Sequence, residues 1–472
     1  MNFNWHQLHR PHLPPSEVVE RGHILPPLAR DSMGRVIVGA GLVVLALIPL
    51  NLLQYRLLGW SVLVPLKEWL LHYGFANYDS WAPMRDALAY VHSVGPRSLY
   101  QIFFDEHVKF QYPPTALLPI SGLQLLGIDP TNTLLNNMNR ALIVINAIGV
   151  GWVFRLVLIR TRGRKAAASP VAISGAVMVG AATLLFYPVM MGFWLGQIQV
   201  WIDTGFTFAC ISILCNRKLT AGVLVGLICL LKPQFNIFAL WAILRRERRF
   251  MLGAAIVILP CVIISLAEFG LGAQLEYLHV LNFLSERGEA MIANNSVNGI
   301  LNALLRTANP LIWEEHGFPP YNLVVHLGSL AAAVILITLA LWRCPGRGTL
   351  NGLADFQFSA LAFTMAAPIA WEHHYGIMAP MLATVFCLLV AAPESTQRRQ
   401  QLLALVVVYL LSTICVTSDR YTHATMLNLA FGYLFFAGLG VLWMLWWVTQ
   451  APQPRRRHSK RAEQQPGHFT WR

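Results

Sequence analysis

Ala141-Leu-Ile-Val-Ile-Asn-Ala-Ile-Gly-Val-Gly-Trp-Val-Phe-Arg155-Leu-Val-Leu-Ile-Arg160-Thr-Arg-Gly-Arg-Lys165 sets an apolar run against a basic clamp. A run of about 20 apolar residues is long enough to cross a bilayer's hydrocarbon core. The Lys/Arg cluster that ends it says on which side it ends, because short cytoplasmic connectors collect positive charge. Reading outward from this segment, the same alternation recurs along the chain. Apolar runs occupy 36–54, 134–159, 170–194, 198–215, 219–232, 234–244, 250–269, 321–342, 354–371, 376–392, 400–416 and 426–448. The runs at 219–232 and 234–244 flank Lys232-Pro233 and also read as one broken helix. A further run, 112–127, opens with Pro113-Pro114 and contains Pro119.

The connectors 160–165, 216–218, 245–249, 343–347 and 397–399 and the tail after 452 are basic. They sit on one side only if 112–127 does not cross, so that run is expected to be a juxtamembrane or re-entrant helix. The expected architecture is an all-α polytopic membrane protein of about 12 transmembrane helices, with juxtamembrane helices in the first external loop. Residues 1–35 form a polar cytoplasmic segment with no signal-peptide core. Residues 36–448 form the membrane domain, and 449–472 a basic cytoplasmic tail.

Composition agrees. The chain has 472 residues, of which 56% are hydrophobic and only 12% charged, against about 25% charged in soluble domains. That argues against a soluble enzyme and excludes a disordered chain and a disulfide scaffold. The formal charge of +13 would suggest nucleic acid in a soluble protein. Here most of it lies on the connectors, and no nucleic-acid partner is expected. The seven cysteines form no CxxC pair and sit in or beside apolar runs.

The opposite face collects the loop 55–133, Gly196-Gln-Ile-Gln199, the Lys232-Pro-Gln234 break, the loop 270–320, Trp371-Glu-His-His-Tyr375 and Ser418–His423. These carry carboxylates, amides, histidines and aromatics, so chemistry belongs there. Asp79 and Asp86 flank the start of a helix expected over about 82–94, beside Arg85. The charged run Asp105–Lys109 reads as a solvated face, and Tyr112-Pro-Pro as a turn into the interface. Asp203 and Lys232 lie at membrane depth, where an ionisable group needs a partner or a function. For Lys232 the functional reading is a phosphate. Adjacent helical residues point about 100° apart, so one of His373 and His374 is expected to face a shared cavity. Neighbouring histidines are poorly placed to share an ion, and no metal site is expected. Neither a Walker A motif nor a Rossmann fingerprint is present, so no cofactor is expected.

In chain order, an Asp in a long first loop, Tyr-Pro-Pro, Gly-Gln, Lys-Pro in a broken helix, Asn-x-Ser-x-Asn-Gly and Trp-x-His-His resemble glycosyltransferase family 87, of the GT-C class. The resemblance covers about residues 36–400. It implies a GT-C-like bundle, a polyprenyl-phosphate sugar donor, a glycolipid or glycan acceptor and a mannosyltransferase-like activity at the outer face of a bacterial inner membrane. It places the base on Asp79 and the donor phosphate near Trp371, His373 and His374. Members often carry an aromatic about four residues after the Asp. Here Ser-Trp-Ala-Pro follows, so Asp86 stays open as the alternative base. Lys232 and Arg85 join the expected phosphate-binding set, and Tyr112, Gln197 and Asn295 the sugar site. The competing reading, a transporter or flippase for lipid-linked saccharides, explains Asp203 and Lys232 equally well but not the long acidic first loop.

Overall fold

The computed structural model describes residues 27–71, 79–94, 99–100, 109–305, 317–343, 346, 348–414 and 426–450. These are predominantly helical, and their only β-type pairing is an isolated antiparallel bridge between Asn294 and Trp371. Arg306 and the loop 418–423 lie outside the described residues, as do Asp105, Glu106 and His107.

Six of the twelve apolar runs coincide with helices long and apolar enough to cross a membrane: Met33–Leu58, Asn132–Arg162, Arg248–Arg287, Leu323–Trp342, Glu372–Ala391 and Asn428–Trp447. A seventh is the pair Pro170–Leu184 and Tyr187–Trp194, bent by 47°. The remaining runs form shorter helices: Gln199–Leu214, Lys218–Leu231, Phe238–Arg245, Thr349–Met365 and Thr396–Thr413. The polypeptide breaks these where Pro or a polar turn interrupts the apolar pattern. Thr349–Met365 is buried at every residue from Leu353 onward, so its length is set by protein contacts rather than by a bilayer. The 112–127 run becomes a 3₁₀ turn, Pro114–Leu117, and a helix, Leu118–Leu125. Eight residues rise only about 12 Å, too little to cross.

The 40-residue helix Arg248–Arg287 is two helices joined at Gly270, whose φ of 74° is open to glycine at no steric cost. Its second half occupies sequence expected to be loop. The expected helix over 82–94 runs from Trp81 to Val94, which leaves Asp79 in the turn before it. Trp81 is buried and donates its indole N–H to Asn136 at 2.8 Å. This fastens the first loop to the long helix Asn132–Arg162. The same helix offers Asn139 to Trp201 and Asn146 to Thr207, bonds between side chains that would otherwise sit unsatisfied in an apolar bundle.

The basic connectors come together at one end of the bundle. Arg160 donates to the Leu214 carbonyl, Arg162 to that of Ala391, and Lys218 pairs with Glu247. Arg245 forms a buried ion pair with Asp355. At the other end, five of the six polar segments grouped by the sequence meet one another.

Candidate active site

The first wall is the turn at Asp79. Its backbone N–H donates to Leu195 O at 2.9 Å, and that of Ser80 to Gly196 O at 3.3 Å. The first loop is thus stitched directly onto the Gly196–Gln199 turn. Gln197 Nε2 donates to Asp79 Oδ2 at 2.5 Å. Its Oε1 accepts from Ser80 Oγ at 2.6 Å and from the Tyr112 hydroxyl at 3.2 Å. Tyr112 is held in turn by Tyr100, whose hydroxyl donates to the Tyr112 carbonyl at 2.6 Å. Asp79 keeps open surface, yet the surrounding protein is dense enough that burial raises its pKa above the usual carboxylate value. The Gln197 hydrogen bond and the positive charge of Lys109 oppose that rise.

The second wall is the break at Lys232. The residue before a proline is pushed out of the helical region, and Lys232 is extended, with φ −135° and ψ 109°. Helix Lys218–Leu231 therefore stops, and Leu230's carbonyl is taken by Thr115 Oγ1 at 2.6 Å. Lys232 is buried, and its ammonium has no hydrogen-bond partner among the described residues.

The third wall is the turn after Trp371. Residues Glu372–Ile377 form a 3₁₀ helix rather than an α-helix. The two rings meet edge to face at 4.7 Å, and both lie within electrostatic range of Lys232. His373 Nε2 and His374 Nδ1 are buried without partners among the described residues. Glu372 is spent otherwise, accepting from Tyr187 and Tyr433 at 2.9 and 3.0 Å. Asp203, one turn along the helix from Gln199, accepts from Gln199 at 2.7 Å. Its other oxygen fills the space that a side chain on Gly376 would need, 2.0 Å from an added Cβ. The two networks therefore join at the Gly196–Gln199 turn, with Gln197 serving Asp79 and Gln199 serving Asp203.

The Asn-x-Ser-x-Asn-Gly segment is the frame behind the third wall. Asn294 accepts from Ala370 N and donates to Glu289 O and Pro368 O, and Ser296 Oγ donates to Pro368 O. Asn295 accepts from Leu434 N and donates to Ala293 O. Gly299 packs so closely that an added Cβ would fall 2.0 Å from Asn294 O.

Asp79, Tyr112 and Gln197 thus share one hydrogen-bond network, while Lys232, His373 and His374 are related by electrostatic range and ring contact alone. Asn295 lies in the frame behind them. Arg85 donates instead to Asn132 at 3.1 Å, and Asp86 is exposed. Among the described residues, no three His, Cys, Asp or Glu side chains converge as a metal-ion site. One participant was not visible in the sequence. Lys109, read as part of a solvated run, is buried against Glu289 at 3.0 Å. Its signal was the aromatic company of Phe110 and Tyr112.

A model of glycosyltransferase family 87 matches residues 110–371, more than half of the chain. No curated protein and no solved structure matches it.

Proposed function

The chain belongs to glycosyltransferase family 87, and from that membership we propose that it transfers a hexose, mannose in the first instance, from a polyprenyl-phosphate donor to a glycolipid or glycan acceptor. The reaction is a direct, inverting displacement, independent of metal, at the external face of a bacterial inner membrane, with both termini cytoplasmic. The observation that carries this reading is the set of three buried nitrogens on Lys232, His373 and His374 that have no hydrogen-bond partner among the described residues. Buried polar groups without partners are costly, and a phosphate would satisfy all three.

The donor's isoprenoid tail stays in the bilayer, and its phosphate lies against these nitrogens. Asp79 takes the proton of the acceptor hydroxyl. The hydroxyl oxygen bonds to the anomeric carbon as the bond from that carbon to the phosphate oxygen breaks. The electron pair leaves on the phosphate, where Lys232 and the histidines meet the developing charge. One displacement inverts the anomeric configuration. A base works best when its pKa lies near the working pH, and burial moves Asp79 in that direction. Tyr112 and Gln197, which share the Asp79 network, line the sugar's side.

The test is Asp79→Asn, assayed with polyprenyl-phosphate mannose in membranes containing the full chain. Removing a general base costs about 10²–10⁴-fold in rate. A normally folded Asp79→Asn protein that transfers at the wild-type rate contradicts the role.

A further inference from the structure

We propose that Glu372 is a positioning residue. Its carboxyl group, clamped by the phenols of Tyr187 and Tyr433, fixes the histidine turn against the helix Tyr187–Trp194, and that helix carries the spacing across to Asp79. The proposal rests on reading Asp79 as the base and the histidine turn as the phosphate side, and it gives a role to three residues outside that set.

Glu372, Tyr187 and Tyr433 are all buried. The Tyr187 hydroxyl donates to Glu372 Oε2 at 2.9 Å and the Tyr433 hydroxyl to Oε1 at 3.0 Å. Each oxygen of the carboxyl group is therefore taken by a different phenol. Tyr187 opens the helix Tyr187–Trp194, and Tyr433 opens the helix Tyr433–Gln450. The Glu372 backbone N–H donates to Ala293 O at 3.1 Å. His373 is thus joined by one peptide bond to a residue held at three points.

The helix Tyr187–Trp194 leads directly to the other wall. Its eight residues rise about 12 Å, and those from Tyr187 to Phe193 are buried. Gly192 faces the turn, where an added Cβ would fall 3.9 Å from His373 Cβ and 3.2 Å from Val200 Cγ2. The Gly192 carbonyl accepts from Gln197 N at 2.9 Å. Just past the helix end, Leu195 O accepts from Asp79 N at 2.9 Å and Gly196 O from Ser80 N at 3.3 Å. Ser80 Oγ in turn accepts from Ile198 N at 3.1 Å. One short helix therefore meets the histidine turn at Tyr187 and again at Gly192, and its C-terminal end holds the backbone of Asp79.

Transfer needs both walls in register, because a base on one and phosphate donors on the other act on a single bound substrate. A misplacement of about 1 Å between such groups can cost about 10²-fold in rate. The backbone bonds from Ala293, Asn294 and Asn295 to residues 370–372 tie the turn to the Asn-x-Ser-x-Asn-Gly frame. The Glu372–Tyr187 bond ties it instead to the helix that ends on Asp79. Holding the turn in place and setting its distance from the base are separate tasks, and the clamp performs the second.

The experiment compares wild type, Glu372→Ala, Glu372→Gln and Tyr187→Phe as full chains in lipid nanodiscs. Each is imaged by cryo-electron microscopy and assayed for transfer from polyprenyl-phosphate mannose per folded molecule. In Glu372→Ala the histidine turn shifts against the Gly196–Gln199 turn by about 1 Å, and kcat falls about 10²-fold. In Glu372→Gln the amide accepts from one phenol and donates to the other, so the turn stays in place and most of the rate returns. Where the Ala variant fails to fold, Tyr187→Phe removes a single hydroxyl and gives a smaller shift with about a tenfold loss. A merely structural clamp lowers the folded fraction but leaves the turn and the kcat of folded molecules unchanged, which overturns the proposal. A Gln variant as slow as the Ala variant, with its turn in place, overturns it too, since the proton or charge of Glu372 would then matter rather than its hydrogen bonds. A shifted turn with unchanged transfer also counts against it. If wild type itself does not transfer from this donor, the reading of the site fails, while the measured shift still decides whether Glu372 positions the turn.

Discussion

Two cations set into the protein, one at each end of the bundle, are treated in opposite ways: Arg245 is part-buried and Lys232 buried. Arg245 has every guanidinium nitrogen engaged. Nε meets Asp355 at 2.9 Å, Nη1 meets Leu341 O at 3.0 Å, and Nη2 meets Ala340 O, Asp355 and the Arg343 carbonyl. Asp355 also accepts from Trp241. Lys232, at the other end, has no side-chain hydrogen bond among the described residues, and the two histidines near it each leave a ring nitrogen unpaired there. The saturated cation is a joint between helices. The unsaturated one, with the Asp203 carboxylate in electrostatic range, is the proposed phosphate site. Both are drawn out of open solvent, so exposure alone does not identify function. The state of their hydrogen bonds does.

Breaking either half of this contrast has a distinct signature. Arg245→Met takes from the buried Asp355 its bonded counter-charge, leaving Arg343 as a more distant cation, and the loss approaches that of breaking a fully buried pair, about 3–5 kcal/mol. Thermal unfolding in detergent should register that loss, while the folded fraction keeps its donor KM. Lys232→Met should do the reverse. Transfer falls by about 10²–10³-fold, the scale of losing one donor to a developing oxyanion, and the unfolding temperature holds or rises because a desolvated ammonium is gone. Equal destabilisation by the two substitutions would dissolve the contrast.

Asp79 adds a pH arm. Its pKa is raised on folding, so its carboxylate opposes folding once the pH exceeds the unfolded value, and the molecule gains stability from this group as pH falls. Activity has the opposite sign, because the base must be ionised, and is lost as pH falls through that raised pKa. Asp79→Asn should therefore be neutral or slightly stabilising at pH 7 while losing transfer. The smallest expected effect is Asp86→Asn. Asp86 is exposed on its helix, and substitution should change the rate by less than about twofold, the usual scale for a solvated surface group. A larger loss would reopen the choice between the two carboxylates.

Much of this was legible in the residues. Apolar runs ended by basic clamps identified the helices, because bilayer-length hydrophobicity is a strong and local signal. The Lys232-Pro233 break and the polar segments that meet beyond it were legible for the same reason. Helix lengths were not. Thr349–Met365 and Lys218–Leu231 are set by contacts with other helices, which composition does not encode, and six described helices rather than twelve reach spanning length and apolarity. The local geometry of His373 and His374 was not legible either, because a 3₁₀ turn, not an α-helix, carries them. Lys109 was missed because its partner, Glu289, lies 180 residues away in sequence. Asn295 was legible as part of a motif but not as part of a frame, since its partners on Leu434 and Ala370 are contributed by distant segments.

The most direct measurement is equilibrium binding of polyprenyl phosphate, the leaving group, to the full chain in nanodiscs, comparing wild type with Lys232→Met and Arg245→Met. The account predicts at least about tenfold weaker binding for Lys232→Met, a loss of roughly 1.4 kcal/mol, with unfolding temperature preserved, and wild-type affinity for folded Arg245→Met. Wild-type affinity in Lys232→Met would contradict it.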